Sequence, residues 1–320
     1  MATAVHEVRD ERVDGLDGIA LHSHAHDLCV AFAPAAGMVG YSLTHRGDEL
    51  LGLRGGLPAY VEHGSSFGIP LLHPWANRLA GTSYTLGGRS VELGGGPAPV
   101  HLDGNGLPIH GVLAASPYWE ESGRTPGGGT AALGARLDYA AHEELMAAFP
   151  FPHELHVQVE LRDDTLTVAT ILVSTGDVAV PISFGWHPYL RLPGLPRAEW
   201  HVELPVRRRA ILDERGIPTG RSEAVAIESG RLGDRTYDDH FLELDDSPTF
   251  VLLGGGRRIE VEFGEGYPYA QVYAPLGTGD EPYVCFEPMT APVNALVSGD
   301  GLRSVAPGGS FRADFSVRVS

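Results

Sequence analysis

Apolar and polar residues alternate with period two along much of this chain, the pattern of strands buried on one face. In Leu155-His156-Val157-Gln158-Val159-Glu160-Leu161 every second side chain is apolar. Arg162-Asp163-Asp164 follows, and then a second apolar-rich run from Leu166 to Val173. Strand, acidic turn, strand predicts a hairpin. Residues 259–263, 269–273 and 311–319 repeat the alternation. Helical periodicity is scarce, and one short helix is expected within residues 140–149. Gly (42) and Pro (24) recur throughout and cut the chain into short segments. Many short strands with very little helix predict an all-β protein, a large antiparallel β-sandwich.

The strand pattern is the same on both sides of the Gly-rich segment 123–130, so that segment is read as a surface loop and residues 1–320 as a single domain. Gly94-Gly95-Gly96 and Gly127-Gly128-Gly129 are read as loop material. No stretch has the ~18 apolar residues of a membrane helix. Residues 1–12 are polar and acidic, without the apolar core of a signal peptide, so a cytoplasmic protein is expected. Cys29 and Cys285 lie in apolar runs and are expected to be buried free thiols.

Charge and composition then remove whole classes of function. The net charge of −18 disfavours nucleic acid and gives no attraction to an anionic membrane. All 23 residues counted as Lys+Arg are arginines. Schiff-base, pyridoxal-phosphate and Walker-type chemistry all need a lysine amine and are excluded. No GxGxxG joins a strand to a helix, so no dinucleotide site is expected.

Five segments bring polar groups into apolar surroundings. They are Pro74-Trp75-Ala76-Asn77-Arg78, Pro108-Ile109-His110-Gly111, Phe184-Gly185-Trp186-His187-Pro188-Tyr189, Tyr237-Asp238-Asp239-His240-Phe241 and Cys285-Phe286-Glu287-Pro288. A fixed histidine and a fixed carboxylate are the minimal equipment for moving a proton from one oxygen to another. His187 and Glu287 are therefore the leading acid–base candidates. Trp75, Trp186 and Tyr189 can be read as stacking platforms for a sugar ring or as sandwich core, and Phe67 as core.

In this order the segments resemble the aldose 1-epimerase (galactose mutarotase-like) family, from about Phe67 to Phe315. Asn77-Arg78, His110-Gly111, Pro150-Phe151-Pro152-His153, His187-Pro188-Tyr189, Asp239 with Phe241, and Glu287-Pro288 with Ala291-Pro292 and Asn294 carry the resemblance. It implies a galactose mutarotase-like supersandwich that interconverts the α and β anomers of an aldohexose without cofactor or metal. By that resemblance Glu287 is the general base, His187 the general acid and His110 an assisting histidine, while Arg78 and Asp239 bind sugar hydroxyls. Asn77, Trp75, Trp186 and Gln271 complete the candidate substrate-binding set. The Phe-Gly-Trp run before His187 resembles the branch that contains hexose-phosphate epimerases. Two alternatives stand beside this reading: a hexose-6-phosphate or other anionic-sugar 1-epimerase, and a non-catalytic sugar-binding or sensing protein. The expected partner is a small sugar, with no nucleic acid or membrane, bound by a monomer or homodimer.

Three further features compete for a role. His22, His24 and His26 alternate and could offer three imidazoles on one strand face. They lie far from the acid–base segments along the chain, and no metal is expected there. Arg207-Arg208-Arg209 is read as a solvated strand end and Met146 as a packing residue.

Overall fold

The computed structural model describes residues 6–125, 129–277 and 281–320. It is 50% strand and 9% helix, and its sheets are antiparallel. The predicted hairpin forms from His153–Arg162 and Thr165–Ser174, turning at Asp163-Asp164. Asp163 takes the left-handed backbone (φ 52°) that a tight turn between twisted strands requires. The other alternating runs become Arg257–Phe263, Tyr269–Ala274 and Ser310–Val319.

Two large sheets dominate. A nine-stranded sheet runs from Glu120–Thr125 through the hairpin and Ser310–Val319 to Gly230–Arg231. Facing it is an eight-stranded sheet whose middle is Tyr237–Leu244, Tyr269–Ala274, Val284–Met289 and Gly185–Trp186. Alternate side chains of the two sheets meet in one apolar cluster. Leu155, Val157, Val168 and Phe315 come from one side, and Phe241, Val272, Val284 and Phe286 from the other. Phe250 lies 5.4 Å from Phe286 and Trp186 lies 5.9 Å from Phe315, ring centre to ring centre, which fixes how the layers meet. Removing a ring such as that of Phe286 would cost about 3–5 kcal/mol, because so dense an interior closes poorly over a void.

Residues 6–49 build a five-stranded meander from His6–Val13 to Asp48–Glu49, laid against the Ala131–Asp138 strand. Glu120–Thr125 pairs with Ala131–Asp138, so the Gly-rich segment connects neighbouring strands. Gly127 and Gly128 lie outside the described residues, as do residues 1–5 of the amino-terminal run. Among the described residues no helix is long and apolar enough to cross a membrane.

Two details differ from expectation. The helix sought at 140–149 spans Glu143–Ala148 and is preceded by a 3₁₀ turn at Tyr139–Ala141, while Gly56–His63 and Ala295–Ser298 are also helical. In Gly56–His63 a proline in the first turn and Gly64 just past the end, in left-handed conformation, mark the boundaries. Cys285 is fully buried, but Cys29 is only half-buried on the outer face of the meander.

Candidate functional site

The outer face of the eight-stranded sheet carries the chemistry, and strand register assembles it in rows. Asp238 pairs with Tyr273, Tyr273 with Cys285, and Cys285 with Tyr189. In the adjoining row His240 pairs with Gln271, and Gln271 with Glu287. Opposite residues in antiparallel strands sit about 5 Å apart on the same face, so four segments distant in sequence converge here. Most of these side chains border a cavity of about 410 Å³, within the range that holds a small ligand.

His187 and Glu287 meet in its wall. Nε2 of His187 lies 3.2 Å from Oε1 of Glu287, and both side chains are at least 95% buried. The second carboxyl oxygen of Glu287 and Nδ1 of His187 have no partner among the described residues. Burial pushes Glu287 well above the usual carboxylate range, reinforced by Asp238. Burial likewise pushes His187 well below the usual imidazole value, reinforced by His110. Desolvation thus favours the uncharged form of each. The Tyr189 ring stacks on His187 at 4.4 Å and 7°, and His110 meets its edge at 5.2 Å. Between them the imidazole is locked in orientation.

Two loops supply the rest. The backbone N–H of His110 donates to the carbonyl of Asn77, and Leu79 N–H donates to Pro108, clipping the loops together. Asn77 (φ 58°) and His110 (φ 64°) both sit in the left-handed region, uncommon for residues with a Cβ and often associated with functional sites. Next to His110, Gly111 must be glycine: a Cβ there would lie 2.1 Å from the His73 carbonyl oxygen. Asn77 Oδ1 accepts from the Arg78 backbone and side chain, and Arg78 Nε donates to Asp103 at 2.7 Å. Burial, reinforced by Arg78, holds His110 neutral by lowering its pKa to about 3.

Of the residues singled out from sequence, Asn77, Arg78, His110, His187 and Glu287 line the cavity together. Asp239 does not. Alternation along Tyr237–Leu244 turns Tyr237, Asp239 and Phe241 toward the other face, where Asp239 pairs with Arg209 at 2.8 Å. Its neighbour Asp238 lines the cavity instead. Asp238 is solvent-accessible but crowded by the concave wall, and this raises its pKa. Gln271 stands behind the wall, 2% exposed, and donates to Asp238 at 2.7 Å. Trp75 and Trp186 are core residues, 1% and 0% exposed, which removes them as stacking platforms. Trp186 donates to Thr170 across the sandwich at 3.0 Å.

Arg54, His101, Asp103, Tyr273 and Tyr283 also line the cavity and were not anticipated. Tyr273 alone left a usable signal, since it lies two residues after Gln271 on the same strand face.

The amino-terminal histidines do not lie along one strand: His22 is the penultimate residue of Leu16–Ser23 and its ring stacks on that of His24 at 5.7 Å, while His24 and His26 sit in the following turn. His24 pairs with Glu7 at 3.0 Å, and His22 lies 3.6 Å from the Cys29 sulfur. Among the described residues no cluster of three or more ligating side chains could hold a metal. Arg207, Arg208 and Arg209 each form ion pairs along an exposed strand.

Comparison with known proteins gives a consistent picture. A family model described as aldose 1-epimerase matches residues 40–318. The chain is 24% identical over 261 residues to the uncharacterized protein YihR of Escherichia coli K12, covering 78% of this chain and 80% of that one. A galactose mutarotase-like protein from Clostridium acetobutylicum superposes with a TM-score of 0.84 at 19% identity, covering 98% of both chains. Galactose 1-epimerase from Lactobacillus acidophilus superposes with a TM-score of 0.77 at 17% identity, covering 99% of both.

Proposed function

The chain belongs to the aldose 1-epimerase family, and from that membership we propose that it interconverts the α and β anomers of an aldohexose through Glu287 and His187. The observation that carries this reading is the 3.2 Å contact between those two side chains at a cavity wall. Two groups so close can reach the two oxygens bonded to one anomeric carbon.

In the proposed reaction Glu287, as carboxylate, takes the proton from the C1 hydroxyl, and His187, as imidazolium, gives its proton to the ring oxygen. The C1–O5 bond breaks and the C1 carbonyl forms. Rotation about C1–C2 presents the other carbonyl face. The same groups then reverse roles: His187 takes the proton back from the C5 hydroxyl while Glu287 protonates the new C1 oxygen. The protons balance over the cycle. The resting pair already holds the one proton this requires, and moving it from carboxyl to imidazole yields the reactive form. A C1 hydroxyl donating to Glu287 and a ring oxygen accepting from His187 both favour that form. Arg78 and Asp238 would hold sugar hydroxyls, with Gln271 orienting Asp238. His110, neutral and with a free Nδ1, would add a further hydrogen bond.

Polarimetry of freshly dissolved α-D-glucose tests the reading. The protein should accelerate the approach to equilibrium rotation, and Glu287→Gln should lower the catalysed rate by roughly 10²- to 10⁴-fold, the usual worth of an acid–base group. Saturable sugar binding with no acceleration would make this a sugar-binding protein instead.

A further inference from the structure

One six-residue pattern occurs twice in this chain, as Asp103-Gly104-Asn105-Gly106-Leu107-Pro108 and as Asp213-Glu214-Arg215-Gly216-Ile217-Pro218. Both copies fold the same way. Oδ1 of Asp103 accepts from the backbone N–H of Asn105 at 2.8 Å and of Leu107 at 3.0 Å. Oδ1 of Asp213 accepts from the backbone N–H of Arg215 and of Ile217, both at 2.9 Å. In each copy the aspartate N–H donates to the carbonyl of the Leu or Ile, and the N–H of the second-half glycine, Gly106 or Gly216, donates back to the aspartate carbonyl. Those two glycines share a left-handed backbone, φ 74° and 78°. An aspartate that closes its own turn with one oxygen keeps the other for a different partner.

Both turns touch Arg78. From the first, Oδ2 of Asp103 accepts from Arg78 Nε at 2.7 Å, the Arg78 and Asp103 side chains being 19% and 8% exposed. From the second, Gly216 lies against the guanidinium: a Cβ there would be 3.1 Å from Nη1 and 3.4 Å from Cζ. Nη1 donates to Asn77 Oδ1 at 3.2 Å, and among the described residues Nη2 has no partner. Arg78 is thus held at three points, with one nitrogen left for a ligand in the cavity it lines. Asp103 lines that cavity too, but three donors already engage its carboxylate, so its effect on a sugar passes through Arg78.

We propose that the twin turns are a clasp, in which Asp103 and Gly216 are positioning residues that fix Arg78 for the sugar and keep it off Asp238 and Glu287. The proposal rests on the epimerase reading above and adds two residues that act through Arg78. Holding matters because Arg78 has competing attractions: it favours the charged forms of Asp238 and Glu287. A loose guanidinium would swing onto one of them and cancel either a sugar-binding carboxylate or the proposed base. Burial pushes Asp103 up, but the Leu107 N–H, the Arg78 guanidinium and the Asn105 N–H outweigh it. Together they hold the carboxyl below its usual value, so the charge that grips Arg78 stays in place. The second turn adds no charge to the grip, since Asp213 turns its other oxygen to its own Arg215. Its part is steric: only a glycine lets the guanidinium lie where Asp103 and Asn77 hold it.

Anomer exchange of glucose measured by NMR tests the clasp in three variants, with fold checked by circular dichroism. Asp103→Asn keeps Oδ1 for the turn and removes the charge that holds Arg78. Gly216→Ala pushes a methyl onto the guanidinium. Gly220→Ala, in the same hairpin, carries a similar backbone strain at φ 79° with nothing within 4 Å, and serves as the control. Asp103→Asn and Gly216→Ala should each raise KM roughly 10-fold with a much smaller change in kcat, the worth of a charge-assisted hydrogen bond to a hydroxyl. Gly220→Ala should keep the wild-type KM. In an Arg78→Gln background the first two substitutions should each add less than about twofold, because the residue they act through is gone. A KM unmoved by Asp103→Asn, or full additivity with Arg78→Gln, overturns the clasp and leaves the epimerase reading intact. An equal rise in KM for Gly220→Ala assigns the glycine effect to strain and overturns the part given to Gly216. If glucose is not turned over, calorimetric binding of 1-deoxy-D-glucose, which cannot mutarotate, decides. Affinity that falls in Asp103→Asn only while Arg78 is present keeps the clasp and removes the epimerase. Affinity indifferent to Asp103→Asn, or no binding at all, overturns the clasp.

Discussion

Acidifying the protein from pH 7 to pH 5 should cost it much of its stability, for a reason visible in the core. His73, His153 and His240 are at most 1% exposed. His153 Nδ1 donates to the Phe151 carbonyl at 2.6 Å, which leaves its Nε2 to accept from His73 Nε2 at 2.9 Å. Rings of Tyr139 and Phe149 close around them. Burial pushes His153 and His240 down to about 4, and pushes His73 well below the usual imidazole value, aided by His153. In the unfolded chain each returns to its ordinary 6.5. Below that value the unfolded state takes up protons that the fold refuses, so stability falls as pH falls toward 4. Over the 1.5 units from 6.5 to 5 each histidine costs about 2 kcal/mol, giving about 8 kcal/mol for four once His110 is counted with them. That rivals the whole stability of many domains, about 5–15 kcal/mol. Urea unfolding followed by tryptophan fluorescence at several pH values measures the slope. The double variant His73→Phe/His153→Phe, which leaves neither ring without its partner, should remove about half of it whatever its absolute stability. A wild-type stability flat between pH 7 and 5, or an unchanged slope in the double variant, would refute the reasoning. Activity in acid must accordingly be read from initial rates, before unfolding intervenes.

Two substitutions probe the geometry more locally. Asp238→Asn should raise KM about tenfold or more in the anomer-exchange assay, whereas Asp239→Asn, which breaks an exposed pair with Arg209, should change kcat/KM by less than about twofold; the reverse order would place the wrong carboxylate at the sugar. Gly111→Ala, forcing a methyl to within 2.1 Å of a carbonyl oxygen on a backbone at φ 71°, should destabilise the protein by roughly 2–5 kcal/mol in urea unfolding, and stability equal to wild type would mean that the loop has room to move.

Period-two alternation is a local signal with a local cause, and so the sandwich could be read in advance from runs such as Leu155–Val173. What escaped depends on parity or on partners remote in sequence. Asp238 and Asp239 are indistinguishable by composition, and only the face each strand position takes separates them. Phe241 held the clue: an aromatic residue destined for the core turns the residue two positions earlier the same way and leaves Asp238 to face outward. The same parity sends Trp186 into the sandwich while His187 and Tyr189 border the cavity. The helix at Gly56–His63 is two turns long and lacks an apolar stripe, so only its proline and glycine punctuation announced it. Arg54 precedes it in a glycine-rich stretch with no periodicity. Its meeting with Tyr189 spans 135 positions and is created by the fold alone.

The proposed reaction depends on proton transfer shared between His187 and Glu287, and a double-mutant cycle on kcat measures that sharing. His187→Asn and Glu287→Gln should each remove most of the catalysed rate, and the double variant should be little worse than the poorer single one, because a relay lacking either group is already broken. Losses that multiply independently, or near-normal turnover in either single variant, would contradict it.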